Sequence, residues 1–238
     1  MFEVTNLSVS AREKQILTEV SLKIGDGKKI VLMGPNGSGK STMCKTLMGD
    51  PSYLVTNGSV NLNGKNITNL PPNEKVKEGL FMVFQEPEGV DGLNILRFLR
   101  TAYNKRFPDS KDFLEKLNSI ISHIDFNREL LTKELNVTLS GGEKKKLEVL
   151  QLLLFNPKYA LIDEFDSGLD IDGVKAISKI INESKSGFLI VTHNPVVFRY
   201  LKVDEVNIIK DGRIIASGGV DLIQKIEKDG FLWAEKKN

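Results

Sequence analysis

Apolar positions along this chain follow two rhythms. In the first seventy residues they alternate with polar ones in short runs, "FEVTNLSV", "LTEVSLKI", "KKIVLM" and "GSVNLNGKNI", broken by Gly, Asn and Asp. That pattern predicts short β-strands joined by turns. After "IVLM" comes a glycine loop and then "KSTMCKTLMG", where Met43, Leu47 and Met48 recur at helical spacing and Gly49 supplies a C-terminal stop. Further on, "LFMVF", "YALID" and "GFLIVT" are unbroken apolar runs of the kind that parallel strands covered on both faces require, with helical "KKKLEVLQLLLF" and "DGVKAISKIINES" between them. Between Glu86 and about Asn136 the β signal disappears. There "LNILRFLRTAYN", "SKDFLEKLNSIISHI" and "RELLTKEL" predict helices, so an all-helical insertion interrupts the core. "VNIIKDGRIIASG" predicts a hairpin around Asp211-Gly212, with a closing helix after it. The expected class is α/β, a mostly parallel sheet with an antiparallel β subdomain. Residues 1–85 would hold the first part of the core, 86–136 the helical subdomain, and 137–238 the rest of the core.

Composition narrows the chemistry. The 238 residues carry 33 basic and 31 acidic side chains, a net charge of +2, which gives no electrostatic case for direct nucleic-acid binding. The single cysteine, Cys44, excludes a disulfide framework and a cysteine-built metal or iron–sulfur site from this chain alone, and a reducing cytoplasm fits. No window approaches the roughly 20 apolar residues of a membrane helix, so no direct membrane insertion is expected.

Candidate chemistry begins at "GPNGSGKST". Gly34, Gly39, Lys40 and Ser41 match the phosphate-loop pattern, with an apolar strand before it and a helix after it. The glycines let backbone N–H groups converge on phosphate oxygens at a positive helix end, Lys40 offsets phosphate charge, and Ser41 is placed to ligate Mg²⁺. "YALIDE" adds Asp163 as the metal-orienting carboxylate and Glu164 beside it as a general base. Without the phosphate loop the same two acids would read as a solvated turn. His193 closes "FLIVTH", and Gln85 follows "LFMVF", both at carboxyl ends of strands. There the histidine can meet a γ-phosphate, and the glutamine can meet the metal or the attacking water. His123 has no partner in view and reads as structural. The run Lys144 to Lys146 reads as a cationic helix face.

Taken in order, these pieces resemble the ATP-binding-cassette ATPases. The matching stretches are the loop Gly34 to Thr42, Gln85, "LSGGE" at Leu139 to Glu143, "LIDE" at Leu161 to Glu164, "SGLD" at Ser167 to Asp170, and His193. The resemblance implies a cassette-type phosphate-loop ATPase core with an inserted helical subdomain, hydrolysing MgATP. Nucleotide would be held by Gly34, Pro35, Asn36, Gly37, Ser38, Gly39, Lys40, Ser41 and Thr42 of one copy and by Ser140, Gly141 and Gly142 of a second copy, with Asp170 also among the nucleotide-binding residues. It also implies Ser41, Gln85 and Asp163 about the metal, and Glu164, His193 and Gln85 in catalysis. Within the family, "GDPSYLVTNGSVNLNGKNI", "SGGEKKKLEVLQ", "DEFDSGLDIDGVK" and the tail "KIEKDGFLW" are similar to the ATPases of the SUF iron–sulfur cluster assembly machinery. That similarity implies scaffold partners of the SufB and SufD type. The nucleotide-binding subunit of a membrane transporter is the alternative. Where cassette ATPases commonly stack an aromatic on adenine, the matching position here is Ala11. Ile95, Phe98, Leu99, Ala102 and Tyr103 recur on one helical face that either packs inside the subdomain or docks a partner. A lysine such as Lys145 would hold Glu164 away from water in the resting subunit.

Overall fold

In a computed structural model that describes residues 1–231, the chain opens with β1 (Phe2–Ala11) and β2 (Lys14–Ile24). It then runs through β3 (Lys29–Met33) into helix α1 (Lys40–Met48). It returns as β4 (Leu54–Leu62) and β5 (Lys65–Asn66), then a short helix α2 (Pro72–Glu78) and β6 (Leu80–Val83). The insertion holds β7 (Val90–Asn94), α3 (Ile95–Arg106), α4 (Phe113–His123) and β8 (Glu134–Leu135). The core resumes with α5 (Gly141–Phe155), β9 (Tyr159–Asp163), α6 (Ile171–Glu183) and β10 (Gly187–Val191). It ends with β11 (Glu205–Lys210), β12 (Arg213–Gly218) and α7 (Asp221–Asp229).

The unbroken apolar runs become the centre of a six-stranded sheet of order β12-β11-β3-β10-β9-β6, parallel except at the β11–β12 hairpin. Every residue of β3, β9 and β10 is buried, because both faces of the sheet are covered. Successive side chains alternate between those faces. Ile30, Leu32, Leu161 and Leu189 pack with α1 and the antiparallel sheet β2-β1-β4-β5. Val31, Met33, Ile162 and Ile190 pack with α5, α6 and α7. Each such side chain contributes about 1.5–3 kcal/mol of burial. The carboxyl ends of β3, β10, β9 and β6 therefore lie side by side along one edge, and the loops leaving them build the site.

The insertion departs from the all-helical expectation. β7 pairs antiparallel with β8, and "RELLTKEL" forms a 3-10 turn over Arg128–Thr132 before β8. The reason is closure of the insertion's neck. The Asn94 side chain caps α3 by accepting from Arg97 N at 3.1 Å and donates to Thr132 O at 2.9 Å, and Ile95 N bonds Lys133 O at 3.0 Å. Those bonds take up backbone that a helix would need. The helical core also does not stop at residue 136, because Leu147, Leu150 and Leu154 of α5 pack with Leu99, Tyr103, Leu117 and Ile121. The hairpin turn falls at Asp211 and Gly212 as expected, both at positive φ. Leu232 and Trp233 of the tail lie outside the described residues.

Candidate functional site

The loop from β3 to α1 folds tightly over itself. A Cβ on Gly34 would lie 2.1 Å from Ile209 O, and one on Gly39, at φ 105°, would lie 2.6 Å from Leu17 Cδ2, so both positions exclude any side chain. Lys40, the first residue of α1, is buried and donates to Gly34 O and Pro35 O, both at 2.9 Å. Burial pulls its pKa below the usual lysine range, against the opposing pull of Glu164 and Asp163. The Ser38 hydroxyl is buried without a protein partner. Pro35, Asn36 and Gly37 form the outer turn of the loop, with Asn36 and Gly37 exposed, and Thr42 is half-buried beside Ser41.

Ser41 Oγ donates to Asp163 Oδ1 at 3.2 Å, joining the start of α1 to the end of β9. Asp163 is 2 % exposed, and burial raises its pKa, with the neighbouring Glu164 adding to the rise and Ser41 opposing it. Glu164 follows at φ 51°, a left-handed conformation uncommon for a glutamate, pinned by its N–H to Val191 O at 2.9 Å. Both of its carboxylate oxygens are engaged. Gln85 Nε2 donates to Oε2 at 2.6 Å, and His193 Nδ1 lies 2.9 Å from Oε1. The structure thus brings Lys40, Ser41, Gln85, Asp163, Glu164 and His193 together at one strand edge.

The second glycine stretch is built differently. Ser140 caps α5, its Oγ accepting from Glu143 N at 3.4 Å while Glu143 Oε2 accepts from Ser140 N at 2.7 Å, a complete capping box. A Cβ on Gly141 or Gly142 would meet no atom within 4 Å, so this chain's own packing does not require either glycine. Asp170 caps α6, accepting from Gly173 N at 2.8 Å. Neither cap makes a hydrogen bond to the phosphate loop among the described residues. Ala11 ends β1, and the turn beyond it carries Arg12 and Glu13, both at positive φ.

Lys145 is not placed as expected. It is buried and donates to Phe84 O at 2.7 Å, Gln85 O at 3.2 Å and Glu148 Oε2 at 3.1 Å, away from Glu164, whose carboxylate is met by Gln85 and His193. Glu148 escaped the sequence reading, although a carboxylate inside "KKKLEVLQLLLF" is a visible anomaly. Burial raises its pKa, opposed by Lys145. Thr192 Oγ1, which donates to the buried Asp166 at 3.0 Å behind the site, left no such signal. The predicted apolar face of α3 packs on the helical core throughout: Ile95, Leu99 and Tyr103 are buried in it, and Phe98 and Ala102, half-exposed or less, pack against its edge while also lining a groove of about 980 Å³ together with Phe84, Gln85 and Glu148.

Known proteins match this arrangement. A family profile described as ABC transporter matches residues 17–167. A probable ABC transporter ATP-binding protein of Streptococcus pyogenes is 41% identical over 97% of this chain and 93% of its own length. The probable ATP-dependent transporter SufC of Escherichia coli (strain K12) is 38% identical over 98% of each chain. Among solved structures, an ATP-binding subunit of an ABC transporter superposes with a TM-score of 0.84 at 23% identity, covering 99% of this chain and 100% of that one, which speaks to the fold.

Proposed function

This chain belongs to the ATP-binding-cassette family of ATPases, and from that premise we propose that it hydrolyses MgATP between two copies of itself to drive scaffold proteins of the SufB and SufD type during iron–sulfur cluster assembly in the cytoplasm. The observation that carries the catalytic part is the meeting of Lys40, Ser41, Asp163, Glu164, Gln85 and His193 at one strand edge.

The backbone N–H groups of Asn36 to Gly39 and the positive end of α1 bind the β- and γ-phosphates, and Lys40 exchanges its two loop carbonyls for phosphate oxygens. Magnesium fits the donor set, since Ser41 Oγ and the Asp163 carboxylate are hard oxygen donors 3.2 Å apart, and Gln85 lines the same groove. Bound there, the ion would offset charge on the phosphates. Glu164 takes the proton of the attacking water, which requires that Gln85 and His193 first release its carboxylate. His193 then turns to the γ-phosphate. The space over Gly141 and Gly142, which this chain leaves open, receives the triphosphate held by the second copy's phosphate loop. The N-terminus of α5 and Ser140 supply donors there, and Asp170 holds the adjoining loop at the seam. Likeness to SufC over nearly the whole chain supports the assembly role.

In Glu164→Gln saturated with MgATP, turnover falls by roughly 10³-fold while the nucleotide stays bound and light scattering reports a dimer. A variant that stays single even with its native scaffold supplied overturns the shared site. Affinity capture with and without ATP tests the partner: soluble scaffold proteins support the assembly role, and an integral membrane protein in their place overturns it.

A further inference from the structure

One turn into α5, Lys145 and Glu148 form an ion pair at 3.1 Å whose side chains are 6% and 5% exposed. Both side chains reach past each other to the backbone that follows β6. Phe84 N donates to Glu148 Oε1 at 2.7 Å, and Lys145 Nζ donates to Phe84 O at 2.7 Å and Gln85 O at 3.2 Å. With Glu148 as its third acceptor, all three ammonium protons of Lys145 are matched. Buried ion pairs add little net stability compared with apolar residues of the same size, so packing alone does not account for one here. What the pair does is fix backbone: it holds both polar groups of Phe84 and the carbonyl of Gln85 to α5. The amide of that same Gln85 occupies Glu164 at 2.6 Å.

Resting on the ATPase reading above, we propose that Lys145 and Glu148 are positioning residues that make the placement of α5 control whether Gln85 covers the catalytic base. Ser140, which faces the second copy's nucleotide, lies five residues before Lys145 on the same element, so the route from one active site to the other half-site is short. It runs along one turn of helix, through the clamp, one residue of loop and one amide. When α5 moves against the sheet, the backbone of Phe84 and Gln85 moves with it, and the amide leaves Glu164. Glu148 also lines the groove beside Phe98, so an occupant of that groove presses on the same clamp.

A double-mutant cycle separates positioning from simple destabilisation. Lys145→Met raises the kcat of the free chain about fivefold with the ATP KM held within about twofold, and in a Gln85→Ala background the same change alters kcat by less than about twofold. Lys145→Arg, which keeps the donors, stays near wild type. Independently of turnover, amide exchange across Phe84 to Glu86 speeds up at least about tenfold in Lys145→Met while β9 keeps its protection. Multiplicative effects in the cycle, or unchanged exchange at Phe84 to Glu86, overturn the clamp. A wild-type chain that hydrolyses no ATP overturns the ATPase reading instead, and the exchange measurement still decides the clamp.

Discussion

Lys75 is fully buried, and its ammonium donates to the carbonyls of Leu47 at 3.0 Å, Thr68 at 3.3 Å and Thr46 at 3.5 Å. Two of those carbonyls belong to the last turn of α1, so the lysine closes the far end of the helix that begins at the phosphate loop. Burial lowers its pKa from 10.5 to about 8. The unfolded chain keeps that proton up to about 10.5 and the folded chain loses it near 8, so within this window the unfolded state binds more protons and stability rises with pH. Urea unfolding of wild type and Lys75→Met in parallel checks this: the wild-type midpoint climbs relative to the variant from pH 8 to about pH 10. A constant difference would mean that the ammonium is solvated. Neither Lys75 nor Lys145 can be told from a surface lysine in the sequence. Their burial is set by residues 28 and 61 positions away, which local pattern does not reveal.

The elements themselves differed in how plainly they could be read. β3, β9 and β10 were visible because a strand covered on both faces needs an unbroken apolar run, and "KIVLM", "YALID" and "GFLIV" are such runs. The phosphate loop was visible for a related reason, since Gly34 and Gly39 sit where any Cβ collides. The β7–β8 ribbon was not, because its register includes only Val90 with Leu135 and Asn94 with Glu134, and it forms only when the two ends of the insertion meet. Burial predicts how each strand tolerates truncation. Leu161→Ala, at 0% exposure in β9, costs about 2–5 kcal/mol of unfolding free energy, and Ile215→Ala, at 38% exposure on edge strand β12, changes it by about 0.5 kcal/mol or less. Urea unfolding followed by circular dichroism measures both, and equal losses would contradict the layered core described above.

At the scale of the whole molecule, the two glycine stretches make opposite demands. Gly34 and Gly39 of the phosphate loop are crowded by their own chain, whereas Gly141 and Gly142 face open space. Gly142→Val therefore leaves the melting temperature of the single chain within a few degrees of wild type. In the Glu164→Gln background the same substitution abolishes the MgATP-dependent dimer seen by light scattering. A dimer that survived would place the second copy elsewhere. Sequence showed the stretch but not the contrast, because open space beside a helix start has no local pattern.

Helix α5 belongs to two cores at once: Val149 and Leu152 pack with the sheet layer, and Leu147, Leu150 and Leu154 pack with the insertion. Its 15 residues span about 22 Å at 1.5 Å per residue, with Ser140 at one tip and Phe155 wedged near the other. A tilt of only about 10° about the Phe155 end would sweep that tip through roughly 4 Å, more than the whole length of a hydrogen bond. The helix is geared as a lever: the tilt that carries Leu152, beside the pivot, by under about 1 Å carries the donors at its tip several times as far.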